Sequence, residues 1–238
     1  MEQQAAVRTS LTGTALVRLL EGLTDPRKRV RDSRAAFADG LVQWTGWADA
    51  IALSAALDRP PAVAALPVAS DGSADGERAE CERVRAALTQ TTVREVGGTG
   101  RSPMEMNMGY TPFRQRYLAR QQAMDVAVGA LRERVRGVVA ATTPELARLA
   151  AVDAVMAQVL GGPERRLLAT VPTLLDKHYQ RLRDAHQGDA GQGGEAPMSE
   201  WLDGFRRDLL AVLAAELDLR LQPVEGLIEA LEHATTPV

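Results

Sequence analysis

Between Pro112 and about Ala140 the apolar side chains Tyr117, Met124, Val128, Leu131, Val135 and Val138 recur at helical spacing, in steps of four and three, with Gln121 at a seam position. That pattern predicts one long helix whose apolar stripe must be buried against other helices or a partner. Thr111 is the expected cap, with Pro112 at the first helical position, where a missing amide hydrogen costs nothing. Thr143 and Pro144 repeat this punctuation and open a helix presenting Leu146, Leu149, Val152, Met156 and Val159, which Gly161 and Gly162 are expected to close. Pro163 then opens a further helix through Leu167, Leu168, Val171, Leu174, Leu175 and Leu182 to about His186, which Pro172 should kink or split. From Ser199, the residues Trp201, Leu202, Phe205, Leu209, Val212 and Leu213 cover one face of the most apolar helix. It is expected to end at Pro223, although the alternation of Leu217, Leu219 and Leu221 is also compatible with an extended segment. Gly226 to Leu231 reads as a short terminal helix.

Toward the amino terminus the pattern is weaker. Ser10 can cap a helix carrying Leu16, Leu19, Leu20 and Leu23, ended by Gly22 and Pro26, and a basic run follows: Arg27, Lys28, Arg29, Arg31 and Arg34, opposed by Asp32. Residues 35–57 read as two short helices broken near Gly46, with Trp44 and Trp47 flanking the break. Pro60, Pro61, Pro67, Gly72 and Gly76 mark residues 59–76 as a linker that buries too little surface to offset its ordering entropy. Glu77 to about Val93 forms a charged helix with Cys81, Val84 and Leu88 on one face. Residues 97–109 and 187–197 read as loops, the second a flexible surface loop. The resulting expectation is an all-α multi-helix bundle, with a small helical region over 1–58, the linker 59–76 and a larger helical bundle over 77–238.

Composition sharpens this picture in three places. At 238 residues and 45% apolar content the chain can bury a core without staples, and its scarce aromatics favour close helix packing over a sandwich or barrel. The single cysteine, Cys81, excludes an internal disulfide framework and a Cys-rich zinc site, and a reducing compartment fits it best. The longest apolar run, Leu209 to Ala215, is far shorter than the roughly 20 residues of a membrane span, and Met1 to Ser10 carries no signal pattern, so a cytoplasmic protein without membrane insertion is expected. Twenty-six arginines stand against two lysines, Lys28 and Lys177. Such a bias reflects a GC-rich genome as well as chemistry, so arginine abundance alone does not argue for nucleic-acid binding. Charge is unevenly spread: residues 112–141 carry six arginines against Asp125 and Glu133, net +4, and residues 199–238 carry eight acidic groups against three arginines, net −5. A basic helix and an acidic tail are expected to pair within the fold.

No reaction centre emerges. Gly97, Gly98 and Gly100 precede Arg101, but a P-loop needs a glycine where Glu95 stands and a lysine where Arg101 stands. The three histidines form no ligand motif, because Asp176 and His178, two apart on a helix, point in different directions. Cys81 shares a face with Val84 and Leu88, so it reads as a small buried residue rather than a nucleophile activated by Arg78, Arg83 and Arg85. A buried Gln121 must find hydrogen-bond partners, unless the seam rotates away from it as a 3.6-residue helix does. The expectation is therefore a non-enzyme with no cofactor, no metal and no catalytic residues. Candidate contacts are Trp44 and Trp47 for a protein partner, with core placement the alternative. For nucleic acid they are the basic run Arg27, Lys28, Arg29, Arg31 and Arg34, together with Arg114, Arg116 and Arg120.

The segments TALVRLL, LVQWTGWADAIALSAAL, FRQRYLARQQAMD, LARLAAVDAVM, PERRLLATVPTLLDKHYQRLR and WLDGFRRDLLAVLAAELDLRLQPVEGLIEAL, in this order, resemble a bacterial family defined only as a domain of unknown function. Members are encoded beside a MotA/ExbB-like inner-membrane protein and an OmpA-like peptidoglycan-binding protein, the motor pair of Zorya anti-phage systems. The resemblance implies an accessory component of a type III Zorya system. Its partners would be proteins of the same operon, either the cytoplasmic tail of the motor protein or a second soluble accessory protein, with DNA as the alternative target. The family brings no active-site residues to carry over.

Overall fold

The computed structural model describes residues 15–24, 46–58, 73–97, 109–190 and 199–235, and its elements among them are all α-helices. They are α1 (Ala15–Thr24), α2 (Trp47–Asp58), α3 (Ala74–Val96), α4 (Thr111–Thr142), α5 (Pro144–Leu168), α6 (Val171–Ala190) and α7 (Ser199–Thr235). The fold is an all-α bundle organised around α7, which packs on α1, α3, α4, α5 and α6.

Heptad-like spacing explains the centre of the bundle. Glu77, Cys81, Val84, Leu88 and Thr92 line α3; Phe113, Tyr117, Met124, Val128, Leu131, Val135 and Val138 line α4; Leu217, Leu221, Val224, Ile228 and Leu231 line α7. Steps of three and four keep each row on one side of its helix, so three rows close on a common seam. Pairing fixes direction. Arg78 meets Glu232 and Arg85 meets Glu225 and Asp218, so α3 and α7 run antiparallel. Arg134 meets Glu77 and Arg120 meets Glu95, so α3 and α4 are also antiparallel. At Thr143, whose hydroxyl accepts from the Leu146 amide at 3.2 Å, the chain reverses from α4 into α5. Gly109, at φ 64°, supplies the left-handed residue that turns the chain into α4.

Several boundaries differ from the sequence expectation. The last helix does not end at Pro223: α7 is one helix of 37 residues with Pro223 inside it. An internal proline costs about 3 kcal/mol, but Leu221 before it and Val224, Leu227, Ile228 and Leu231 after it all bury on the same seam, and their burial outweighs that cost. Likewise α5 does not close at Gly161–Gly162. It runs through a buried Pro163 to Leu168, and the break falls at Ala169–Thr170, so Pro172 sits in the first turn of the next helix. That helix extends to Ala190, taking in the first residues assigned to the loop 187–197. Tyr110, and not Thr111, precedes α4, and Pro112 is its second residue. Ser73 starts α3 earlier than Glu77, because its hydroxyl accepts from the Gly76 amide at 3.1 Å. The helices of region 1–58 lie on the rest of the bundle, α1 on α6 and α7 and α2 on α5; residues 59–72 lie outside the described residues.

Candidate interaction site

Helix α2, WADAIALSAALD, is mostly apolar, with Asp49, Ser54 and Asp58 its polar side chains, and its apolar residues are not gathered on one face. Only α5 covers it. Asp49, Leu53 and Ala56 turn toward the bundle, while the opposite stripe of Trp47, Ile51, Ser54 and Asp58 faces solvent at helical spacing. Trp47 is 82% exposed and Ile51 54%; Leu57, beside that stripe, is 57% exposed. The stripe begins where Gly46 is tied to the Asp49 carboxylate through its amide at 2.9 Å, which fixes the start of the helix beside the indole. Trp44 lies outside the described residues.

The arginines proposed for nucleic acid fall into two groups. Arg27, Lys28, Arg29, Arg31 and Arg34 lie outside the described residues. On α4, Arg120 is 3.1 Å from Glu95, Arg116 sits 5.9 Å from the centre of the Phe113 ring and Arg114 is exposed near Tyr110. Farther along, Arg132 and Arg136 both clamp Asp153 on α5, and Arg134 binds Glu77 on α3 at 2.9 Å. Burial disfavours the Asp153 carboxylate, but hydrogen bonds from Arg132 and Arg136 outweigh it and hold its pKa below the ordinary aspartate value. The expected pairing of basic helix with acidic tail takes a different form. Carboxylates of the tail pair with α3, through Arg78 and Arg85, and the basic helix pairs with α3 and α5; the link between α4 and α7 runs from Asp125 to Arg220 at 3.0 Å, acid on the basic helix. The cause is geometric: α3 carries both signs on its two flanks and stands antiparallel to both neighbours.

A polar network that the apolar pattern did not reveal lies inside the bundle. Glu216 is fully buried. It accepts hydrogen bonds from the Tyr117 hydroxyl, from Arg220 at 2.9 and 3.1 Å, and from Gln121 at 3.3 Å. Gln121 also reaches the Leu168 carbonyl at 3.4 Å, so the seam amide has partners on two helices. Burial first, and then the Glu216 charge, push the Tyr117 hydroxyl above its ordinary pKa, so it stays a proton donor. Glu77, also fully buried, keeps one carboxylate oxygen on Arg134 and has the other without a partner. Both acids occupy seam positions, Glu77 four residues before Cys81 and Glu216 three after Leu213. A carboxylate at a seam position was the signal that could have found them.

The remaining groups carry structural roles. His178 pairs with Asp208 of α7 at 2.7 Å and stacks near Phe205, while Tyr110, Phe113, Tyr179, Trp201 and Phe205 form one aromatic cluster. Cys81 is buried, and burial followed by the Glu225 charge raises its thiol pKa, the reverse of what an activated nucleophile requires. Among the described residues no group of three or more His, Cys, Asp or Glu side chains is arranged to hold a metal ion, and no helix is long and apolar enough to cross a membrane.

No curated protein and no solved structure matches the chain. The model of a family described as a protein of unknown function, DUF3348, matches residues 1–233, and the chain therefore belongs to the DUF3348 family.

Proposed function

We propose that the protein is a non-catalytic accessory component, or adaptor, of an ion-driven-motor-associated anti-phage defence system of the type III Zorya kind, acting in the cytoplasm through protein–protein contacts. The observation that carries the contact mode is the outward side of α2, where Trp47 and Ile51, with Leu57 beside them, stand exposed on a mostly apolar helix. Such a stripe suits a partner helix, from the motor protein's cytoplasmic tail or a second accessory protein of the same operon. The resemblance described above supplies the biological setting. The alternative, a nucleic-acid-binding effector, has less support on α4, where Arg120, Arg132, Arg134 and Arg136 already hold carboxylates.

The test is phage plating efficiency on cells carrying the whole operon, with this gene intact, deleted in frame, or carrying Trp47→Ala. Loss of protection in both altered strains, with the variant at normal abundance, is the expected result. Unchanged protection on deletion removes the defence role; protection lost on deletion but kept by Trp47→Ala removes α2 as the contact.

A further inference from the structure

Helix α7 carries a built-in break in its hydrogen-bond ladder. Pro223 has no amide hydrogen, so the carbonyl of Leu219 lacks its usual partner one turn later, and the ring crowds that carbonyl. Arg85 on α3 spans this point. One guanidinium nitrogen, Nη1, binds Asp218, five residues before the proline, and the other, Nη2, binds Glu225, two residues after it. The next rung, Arg78 to Glu232 at 2.6 Å, lies wholly beyond the proline. We infer that Pro223 divides α7 into two lengths and that Arg85 is the staple holding them in line, so that the outer length, Val224 to Thr235, opens from the bundle before the inner one does.

The arrangement holds its own reporter. Cys81, buried in the core, lies on α3 between Arg78 and Arg85, whose partners Glu232 and Glu225 both belong to the outer length, and it is the chain's only cysteine. Glu225 and Arg85 are among the charges that act on its thiol. Opening of residues 224–235 therefore uncovers the thiol, whereas fraying of α1 or α2 does not.

The experiment measures the rate at which Cys81 reacts with a thiol reagent, 5,5′-dithiobis(2-nitrobenzoate), in the folded full-length protein. Four proteins are compared: wild type, Arg85→Gln, Pro223→Ala and the double variant. With proline present, Arg85→Gln is expected to speed labelling roughly fivefold, the scale of one or two partly exposed ion pairs. With alanine present the helix is continuous, and the same substitution is expected to change the rate less than twofold. The charge change at the thiol is identical in both backgrounds, so it cancels in the comparison. Equal acceleration in both backgrounds, or none in either, overturns the staple. Glu225→Gln cuts the same staple from the other side and must reproduce the pattern. Should either substitution prevent folding, amide hydrogen exchange on the wild type decides: faster exchange over 224–235 than over 205–217 supports the divided helix, and uniform exchange along α7 overturns it.

Discussion

Truncating Glu216 to alanine tests whether the buried network holds α4 and α7 together. Glu216 and Tyr117 are both fully buried and the Arg220 side chain is 9% exposed, so the substitution leaves three donors facing an apolar seam. Tyr117 loses its acceptor, Arg220 keeps Asp125 at 3.0 Å, and Gln121 keeps only its long contact to Leu168. Breaking a buried ion pair from one side costs about 3–5 kcal/mol, and in a chain of this size each kcal/mol lowers Tm by about 2–4 °C. A fall of about 10 °C in a circular-dichroism melt is the expected outcome. Tyr117→Phe, which removes one hydrogen bond to a charged acceptor, should cost about 1.5–3 kcal/mol. The triple variant Tyr117→Phe, Glu216→Leu and Arg220→Met removes the buried charges and the hydroxyl together, leaves Gln121 the Leu168 carbonyl and leaves Asp125 to water, and should recover most of the loss, because apolar replacements of similar volume strand no buried charge. A Glu216→Ala loss below about 1 kcal/mol, or a triple variant as unstable as the single, would refute this account.

Three further outcomes are expected. Trp47→Ala should change stability by less than about 0.5 kcal/mol in urea unfolding, since the indole is 82% exposed, while abolishing co-purification with the operon partner. Pro223→Ala should raise stability by about 1–3 kcal/mol, because the helix regains a hydrogen bond and loses a clash, with the more flexible unfolded chain taking back part of the gain; a lower urea midpoint would contradict it. Asp153 has a folded pKa below its ordinary value, so the unfolded state binds the proton more readily; its stabilisation is present above the ordinary aspartate pKa and lost as pH falls through the folded value. Asp153→Asn should therefore flatten the acid limb of the stability profile, and an unaltered limb would argue against the clamp.

What the sequence made legible was what depends on period. Tyr117, Met124, Val128, Leu131, Val135 and Val138 are all buried as their spacing required, and Thr143 and Pro144 mark the α4–α5 junction. Proline was misleading inside helices. Local chemistry argues for a stop at Pro163 and Pro223, yet the apolar rows run through both, and burial on a shared seam is a tertiary quantity that local punctuation does not contain. Glu77 and Glu216 escaped for a related reason: a hydrophobic pattern marks a charged residue as a gap, although a gap at a seam position is a buried charge that must find a partner. Trp47 was legible as an aromatic beside a helix break, but its side of the helix depended on where α5 lies.

The ion pairs also determine how the nucleic-acid alternative has to be tested. Substituting Arg132 or Arg136 removes half of the clamp on Asp153, and substituting Arg134 leaves fully buried Glu77 without the cation that holds its bound oxygen. Each of those variants loses stability whether or not DNA is ever bound, so lost protection against phage would carry no information about phosphate contacts. Arg114 is different: it is exposed at the start of α4, and removing it disturbs no ion pair described above. If α4 contacts phosphates, Arg114→Ala should lower DNA affinity and reduce its salt dependence by about one counterion, with the melting temperature unchanged. An affinity equal to wild type at low salt would leave the arginines of this helix to the work their partners show, which is aligning α3, α4 and α5 along one seam.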